Sequence, residues 1–343
     1  MISKRPDRIG SNHPPAWIQI LMINSHHILG KTAMAVLFLC CFSIGFSFGK
    51  DNLQWKREST SVALLQGEKQ VWQFNYAAKG SLKPFFHPVA LPGGSSLTWL
   101  SPPDHVWHLA LWFAWKYINK VNYWEENKEG ICEGATEWTN VRIETRSDHS
   151  ARIRLDLRYR PQKAEKPVLT EKRTISISSP AADGSYSMDW AMVFTAGTEN
   201  LSLDRTPSTP TSISGYAGLS VRLAKELGEI QIAATADKGK MVGNRYGYAA
   251  TATDFNGRMD QGEAGMAMLD HPGNPRFPNR WYVIVDPSRP FWYMNAAWLQ
   301  EEPYDLPAGK SMTFRYRILV HPHRWDANRL EQEHHRYVKE SGR

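Results

Sequence analysis

The stretch 151-ARIRLDLRYR-160 turns Ile153, Leu155, Leu157 and Tyr159 one way and Arg152, Arg154, Asp156 and Arg158 the other. Successive side chains of a strand point to opposite faces, so this alternation specifies a half-buried strand. The segment 312-MTFRYRILV-320 repeats the pattern, with Met312, Phe314, Tyr316 and Ile318 against Thr313, Arg315 and Arg317. Weaker strand signals lie at 70–74, 141–145, 170–177, 188–194, 218–223, 246–253, 265–269, 281–285 and 291–296. Turn residues punctuate them at Pro92-Gly93-Gly94, Ala182-Asp183-Gly184, Asn256-Gly257 and Pro307-Ala308-Gly309. Strands spread along the chain with almost no helical period predict an all-β fold, one large antiparallel β-sandwich. One helix is expected at the end, capped by Asp326 and running to about Lys339. Leu330, His334 and Tyr337 would share a face, Glu331, Glu333 and Arg336 would lie elsewhere, and His334-His335 would face solvent.

The 343 residues are 42% hydrophobic and 22% charged, too apolar for a disordered chain. The formal charge of +7 is partly a property of the first 49 residues; beyond them the chain carries 37 basic and 33 acidic residues. Basic residues are interleaved with acidic ones, which excludes the basic stripe of a nucleic-acid binder. From Thr32 to Phe48 the uncharged run TAMAVLFLCCFSIGFSF follows Lys31 and ends before Gly49, the layout of an export signal. Residues 1–49 are thus expected to be an N-terminal extension with a signal peptide cut near Gly49, translation beginning at Met1 or Met22. Residues 50–343 are expected to be a single domain, periplasmic or extracellular, with no span in the mature chain. Two of the three cysteines fall in the signal, leaving Cys132, read as a buried and inert thiol.

Three polar and aromatic clusters, all read as loops, could carry chemistry. They are Pro84-Phe85-Phe86-His87-Pro88; Asp104-His105-Val106-Trp107-His108 with Trp112, Trp115, Asn122 and Trp124 after it; and Asp270-His271 through Asn274 and Arg276 to Pro278. Imidazoles shuttle protons near neutral pH, so His87, His105, His108 and His271 are candidate acids and bases on a carbohydrate or other hydroxylated substrate. The same histidines with Asp104 or Asp270 could instead hold a metal, although Asp-His-x-x-His lacks the spacing of the helical zinc signature. Aromatic faces beside amide and charged groups, with Trp112 and Trp124 as platforms, could equally bind a sugar without catalysis. Glu125, Glu126, Glu133, Glu137, Asp260 and Glu263 are further carboxylates, but a glycosidase pair is defined by separation in space. No Gly-x-Ser-x-Gly elbow, phosphate loop or cysteine knuckle is present.

The stretches KPFFHPVALPGG (83–94), DHVWHLALWFAW (104–115) with VNYW (121–124), DHPGNPRFP (270–278) and LPAGKSMTFRYRILVH (306–321) resemble the bacterial methane oxygenase PmoA-like family, a domain of unknown function. In that family the second block usually reads Asp-His-Pro-His-His-Arg before Leu-Trp-Phe; here Val106, Trp107 and Leu109 stand at three of those positions, while Asp104, His105 and His108 remain. The resemblance implies an exported β-sandwich, often near carbohydrate-degrading functions, and the His-Pro loops are similar to those of galactose-mutarotase-like supersandwiches. The family name implies a metal-dependent oxygenase or hydrolase, at odds with a mature chain lacking a spanning segment.

The leading expectation is acid–base chemistry on carbohydrate, without a required cofactor. His87, His105, His108 and His271 would line one pocket beside Asp104, Trp112, Asn122, Trp124, Asp270, Asn274 and Arg276, with Arg276 steadying an oxyanion. A noncatalytic sugar-binding module and a histidine-bound metal enzyme stay open beside it.

Overall fold

The structure, a computed structural model, describes residues 52–76, 83–127, 129 and 131–342. The expected export signal and both candidate start sites lie outside the described residues.

In chain order the strands begin with β1 (Leu53–Glu58), β2 (Ser61–Gln66), β3 (Lys69–Asn75), β4 (Phe85–Val89), β5 (Leu111–Ala114), β6 (Tyr117–Ile118) and β7 (Val121–Asn122). They continue with β8 (Gly134–Thr145), β9 (Ala151–Pro161), β10 (Leu169–Ile177), β11 (Tyr186–Ala196), β12 (Leu201–Asp204), β13 (Gly218–Arg222) and β14 (Gly228–Ala234). The last are β15 (Arg245–Ala249), β16 (Ala252–Met259), β17 (Gly262–Asp270), β18 (Arg280–Asp286), β19 (Phe291–Ala296), β20 (Tyr304–Leu306) and β21 (Ser311–Pro322), before helix α1 (Ala327–Ser341). A nine-stranded sheet has the order β1-β2-β3-β4-β5-β13-β19-β18-β15, and an eight-stranded sheet the order β14-β16-β17-β21-β11-β10-β9-β8. A small sheet, β20-β12-β6-β7, completes the set. The strand pairings are antiparallel, as the alternating pattern requires.

The two large sheets face each other across one core. Leu64, Trp72 and Phe86 come from one sheet and Ile153, Trp190 and Phe314 from the other. Phe86 meets Trp190 edge-on at 5.7 Å, and Phe113 lies 5.1 Å from Phe194. In β9 the inward Ile153, Leu155, Leu157 and Tyr159 are buried as the alternation demands. Each such burial contributes about 1.5–3 kcal/mol. A buried ion pair sits in this core: Arg173 binds Glu171 at 2.6 Å, and Tyr159 donates to Glu171 at 2.5 Å.

The helix begins as expected, with the Asp326 side chain accepting from the Arg329 N–H at 2.8 Å. Its apolar face covers the outside of the eight-stranded sheet, Leu330 and Tyr337 packing with Ala252, Ala267 and Leu269. Leu330, His334 and Tyr337 share the buried face as expected and His335 is exposed, but the solvent-facing place expected for His334 is corrected. His334 is buried, its Nε2 bonded to the Asp270 carbonyl at 2.9 Å, and Glu333 is buried between Arg329 and Arg336. A sheet lies under this side of the helix, so even its polar residues are covered.

Three other expectations change. The strand expected over 246–253 is two strands in different sheets, β15 and β16, the chain crossing between them at Ala250–Thr251. Asn256-Gly257 makes no turn but lies within β16, where a Cβ on Gly257 would stand 2.4 Å from the Gly228 carbonyl oxygen. Close backbone approach, not a turn, demands that glycine. The first two clusters are also not loops throughout, since β4 contains His87 and β5 contains Trp112.

Candidate functional site

Alternation along the central strands of the nine-stranded sheet divides their side chains. Leu111, Phe113, Val283 and Met294 enter the core between the sheets, while Trp112, Tyr282, Ile284 and Tyr293 form a second apolar cluster on the opposite face. Two rows cross that face through the strand register: Trp112, Ser220, Asn295, Tyr282 and Gly247 in one, Arg222, Tyr293, Ile284 and Arg245 in the next. Loops carrying Trp107, Trp124 and Tyr216 close over them.

Between floor and loops lies a cavity of about 240 Å³, lined among others by His105, Trp107, His108, Trp124, Glu125, Tyr216, Arg245, Tyr282, Arg289 and Tyr293. Drug-sized ligands occupy about 300–1,000 Å³, so the space suits one small ring. Trp124 packs on Tyr216 at 5.0 Å, and Tyr216 stacks on Tyr282 at 5.9 Å.

The Asp104–His108 segment is a tight turn, the His108 N–H donating to the His105 carbonyl at 2.9 Å. His105 and His108 are thereby placed side by side, ring centres 4.6 Å apart. His108 is almost wholly buried and stacks on Tyr293 at 5.1 Å, its Nδ1 without a partner. Burial, with His105 and Arg222 nearby, holds its basicity well below that of a free imidazole. His105 Nδ1 lies 3.2 Å from Asp104 Oδ2, an ion-pair distance without hydrogen-bond geometry. Burial lowers the His105 pKa too; Asp104 opposes the shift, and Arg222 and Arg289 reinforce it. Both shifts favour the neutral ring.

Across the cavity Glu125 is held by Lys116, by Asn122 Nδ2 at 2.8 Å and by the Tyr216 hydroxyl at 2.8 Å. Burial would raise its pKa, but the Lys116 charge and these donors win and keep it below the usual range. The same carboxylate, added to burial, drives the Tyr216 hydroxyl pKa upward.

The cavity gathers His105, His108 and Trp124 from the expected site, and the other residues stand elsewhere. His87 is half-buried in β4, bonded through Nδ1 to Thr98 Oγ1 at 3.0 Å, and burial pushes its pKa down to about 4. Trp112 is buried behind His108, ring centres 5.2 Å apart, and is part of the floor's packing rather than its surface. Asp104 backs His105, and Asn122 orients Glu125 while capping the Trp124 N–H at 2.8 Å.

The third cluster is a structural latch beneath α1. Asp270 is fully buried, accepting from Asn274 Nδ2 at 2.7 Å, the Asn279 N–H at 2.7 Å and the His271 N–H at 3.0 Å. Burial nonetheless raises its pKa to about 7. Asn274 pairs with both backbone groups of Arg315, and His271 accepts from the Gly273 N–H and packs on Tyr337. Arg276 donates to the Trp298, Glu302 and Pro303 carbonyls, so it steadies a loop and not an oxyanion in the cavity. The expected meeting of four imidazoles in one pocket thus reduces to two. Histidines beside proline in exposed-looking stretches satisfy backbone groups as readily as they bind ligands, and spacing does not separate the two cases.

Sequence reasoning missed Tyr216, Arg245, Tyr282, Arg289 and Tyr293, and named Glu125 only as one carboxylate among six. Strand register brings Tyr282, Tyr293 and Arg245 together, which no local motif signals. Cys132 is buried as expected, with Lys83 Nζ 3.4 Å from its sulfur. Among the described residues no group of three or more His, Cys, Asp or Glu is placed to hold a metal ion.

A family model described as "Family of unknown function (DUF6807)" matches residues 61–335. The chain belongs to this family. The DUF6807 match spans every residue of the cavity. No curated protein matches the chain. Among solved structures, the DUF6807 chain is similar to a protein of Klebsiella pneumoniae subsp. pneumoniae proposed to be an aldose 1-epimerase, with 11% identity over 81% of this chain and 83% of that one and a TM-score of 0.38. A TPR-domain containing protein of Parabacteroides distasonis follows at 9% identity, covering 80% of this chain and 48% of that one, with a TM-score of 0.28. At such scores neither likeness bears on function.

Proposed function

We propose that the cavity binds one carbohydrate ring and that His105 moves a proton to and from a ring hydroxyl. The observation that carries this reading is the Asp104–His105 pair opening onto an aromatic cavity of single-ring size. Trp124, Tyr216 and Tyr282 offer the flat apolar surface that a sugar's C–H face covers, and Glu125 offers carboxylate oxygens to its hydroxyls. With Nδ1 turned to Asp104, Nε2 of His105 is the nitrogen left for the ligand. A neutral imidazole can take a hydroxyl proton, and the Asp104 carboxylate stabilises the imidazolium that forms until the proton returns.

The export signal at Thr32–Phe48 supports placing this activity outside the cytoplasm. The four quoted blocks support the finer PmoA-like kinship.

The test is a panel of monosaccharides followed by NMR for binding and for proton-transfer chemistry such as anomer exchange. The expected result is turnover that falls about 10²–10⁴-fold in His105→Ala. Turnover indifferent to that substitution contradicts the proton-transfer role. Binding without turnover in the wild-type chain favours the noncatalytic reading, which the three donors already occupying Glu125 also suit.

A further inference from the structure

The charges around the cavity pair off, with one left over. Asp104 is bound by Arg222, Glu125 by Lys116, and Asp286 by Arg289 at 2.9 Å. Burial favours the neutral form of His105 and His108. Arg245 also lines the cavity, yet among the described residues no carboxylate lies within ion-pair distance of it. Its hydrogen bonds go to neutral acceptors, the Ser212 hydroxyl and, at 3.4 Å, the Ile213 carbonyl, and its Nε is buried without an acceptor. Asn244 beside it is committed to Asp286 at 3.0 Å. A half-buried guanidinium without a counter-charge favours an anionic partner, and with Nη1 committed and Nε buried, Nη2 is the donor left for a carboxylate.

Resting on the carbohydrate reading above, we propose that the bound sugar is acidic, a hexuronate-type ring whose carboxylate is received by Arg245. Register sets the spacing. Arg245 pairs with Ile284 and Ile284 with Tyr293, on which His108 stacks. Two strand spacings, about 10 Å, therefore separate the Arg245 backbone from that of the tyrosine under the histidines. Both side chains line the one cavity, so a ring whose carboxylate meets Arg245 turns its other side toward the histidines. Arg289 at the mouth, 67% exposed and shared with Asp286, adds attraction but no built contact.

The experiment is calorimetric titration of the full chain with matched pairs, D-glucose against D-glucuronate and D-galactose against D-galacturonate. The wild-type chain is expected to bind the acids at least tenfold more tightly, with the margin narrowing as salt rises. In Arg245→Gln the acid-to-neutral ratio should fall to near one, and Arg245→Lys should keep part of it. Equal binding of acids and neutral sugars by the wild-type chain overturns the inference and leaves the carbohydrate reading standing. An acid preference that survives in Arg245→Gln also overturns it. Failure of all four sugars to bind removes both. The wild-type comparison stands even if a variant fails to fold.

Discussion

Nη2 of Arg222 donates to both carboxylate oxygens of Asp104, at 3.1 and 3.0 Å. The guanidinium is fully buried, lies 3.4 Å from the Phe291 ring centre, and leaves Nε and Nη1 without acceptors. Asp104 is thus tethered from below by a charge that has no other counter-ion, and it reaches His105 from that tether.

Asp104→Asn should therefore act twice. It leaves the Arg222 charge buried and unpaired, costing about 2–4 kcal/mol after discounting the partial exposure of Asp104. It also removes the group that opposes the downward shift of His105, so the His105 pKa should fall further. Denaturant melts and an imidazole NMR titration read the two effects. An unchanged His105 titration contradicts the coupling.

His87 and His105 should separate structure from function. His87→Ala removes a part-buried hydrogen bond to Thr98, with an expected loss of about 1–2 kcal/mol and no change in ligand affinity. His105→Ala should lower turnover about 10²–10⁴-fold with little effect on the melting temperature. Loss of binding on changing His87 runs against the placement of the site.

Gly257→Ala should destabilise by about 2–4 kcal/mol, since its methyl group meets the Gly228 carbonyl oxygen at 2.4 Å and neither backbone can withdraw without breaking the β14–β16 pairing. A melting curve matching that of the unsubstituted chain would show the approach to be looser.

How the fold could be read from the chain depends on which strands have one wet face. β9 and β21 alternate cleanly enough to be read directly, even though Arg317 of β21 is drawn under α1 by Asp189 and Glu340. The strands that build the cavity are covered on both faces, so FWYMNA in β19 and LWFA in β5 show no alternation. The cavity was legible only where a local motif carries it, at Asp104, His105, His108 and Trp124. Arg245, Tyr282 and Tyr293 converge through register between strands distant in sequence, and a single sequence does not display register.

Asp270 makes stability depend on pH in a defined direction. Its folded-state pKa is raised to about 7 from 3.8, so the folded chain prefers the protonated carboxyl. The stabilisation is complete below about pH 4 and is lost as pH rises toward 7, a change of about 4 kcal/mol. Asp270→Asn cannot ionise, so relative to wild type it should gain that amount between pH 4 and 8, as read by denaturant melts. A pH-independent difference contradicts the assignment.

The most direct measurement is residue-resolved NMR of the histidine rings during titration with D-glucuronate. The proposed site predicts shifts at His105 and His108, on the face beneath Trp107 and Trp124, with His87 and His271 unmoved. Shifts confined to His87 or His271, or none at saturating sugar, contradict the claim that the sheet's outer cavity is where the ligand sits.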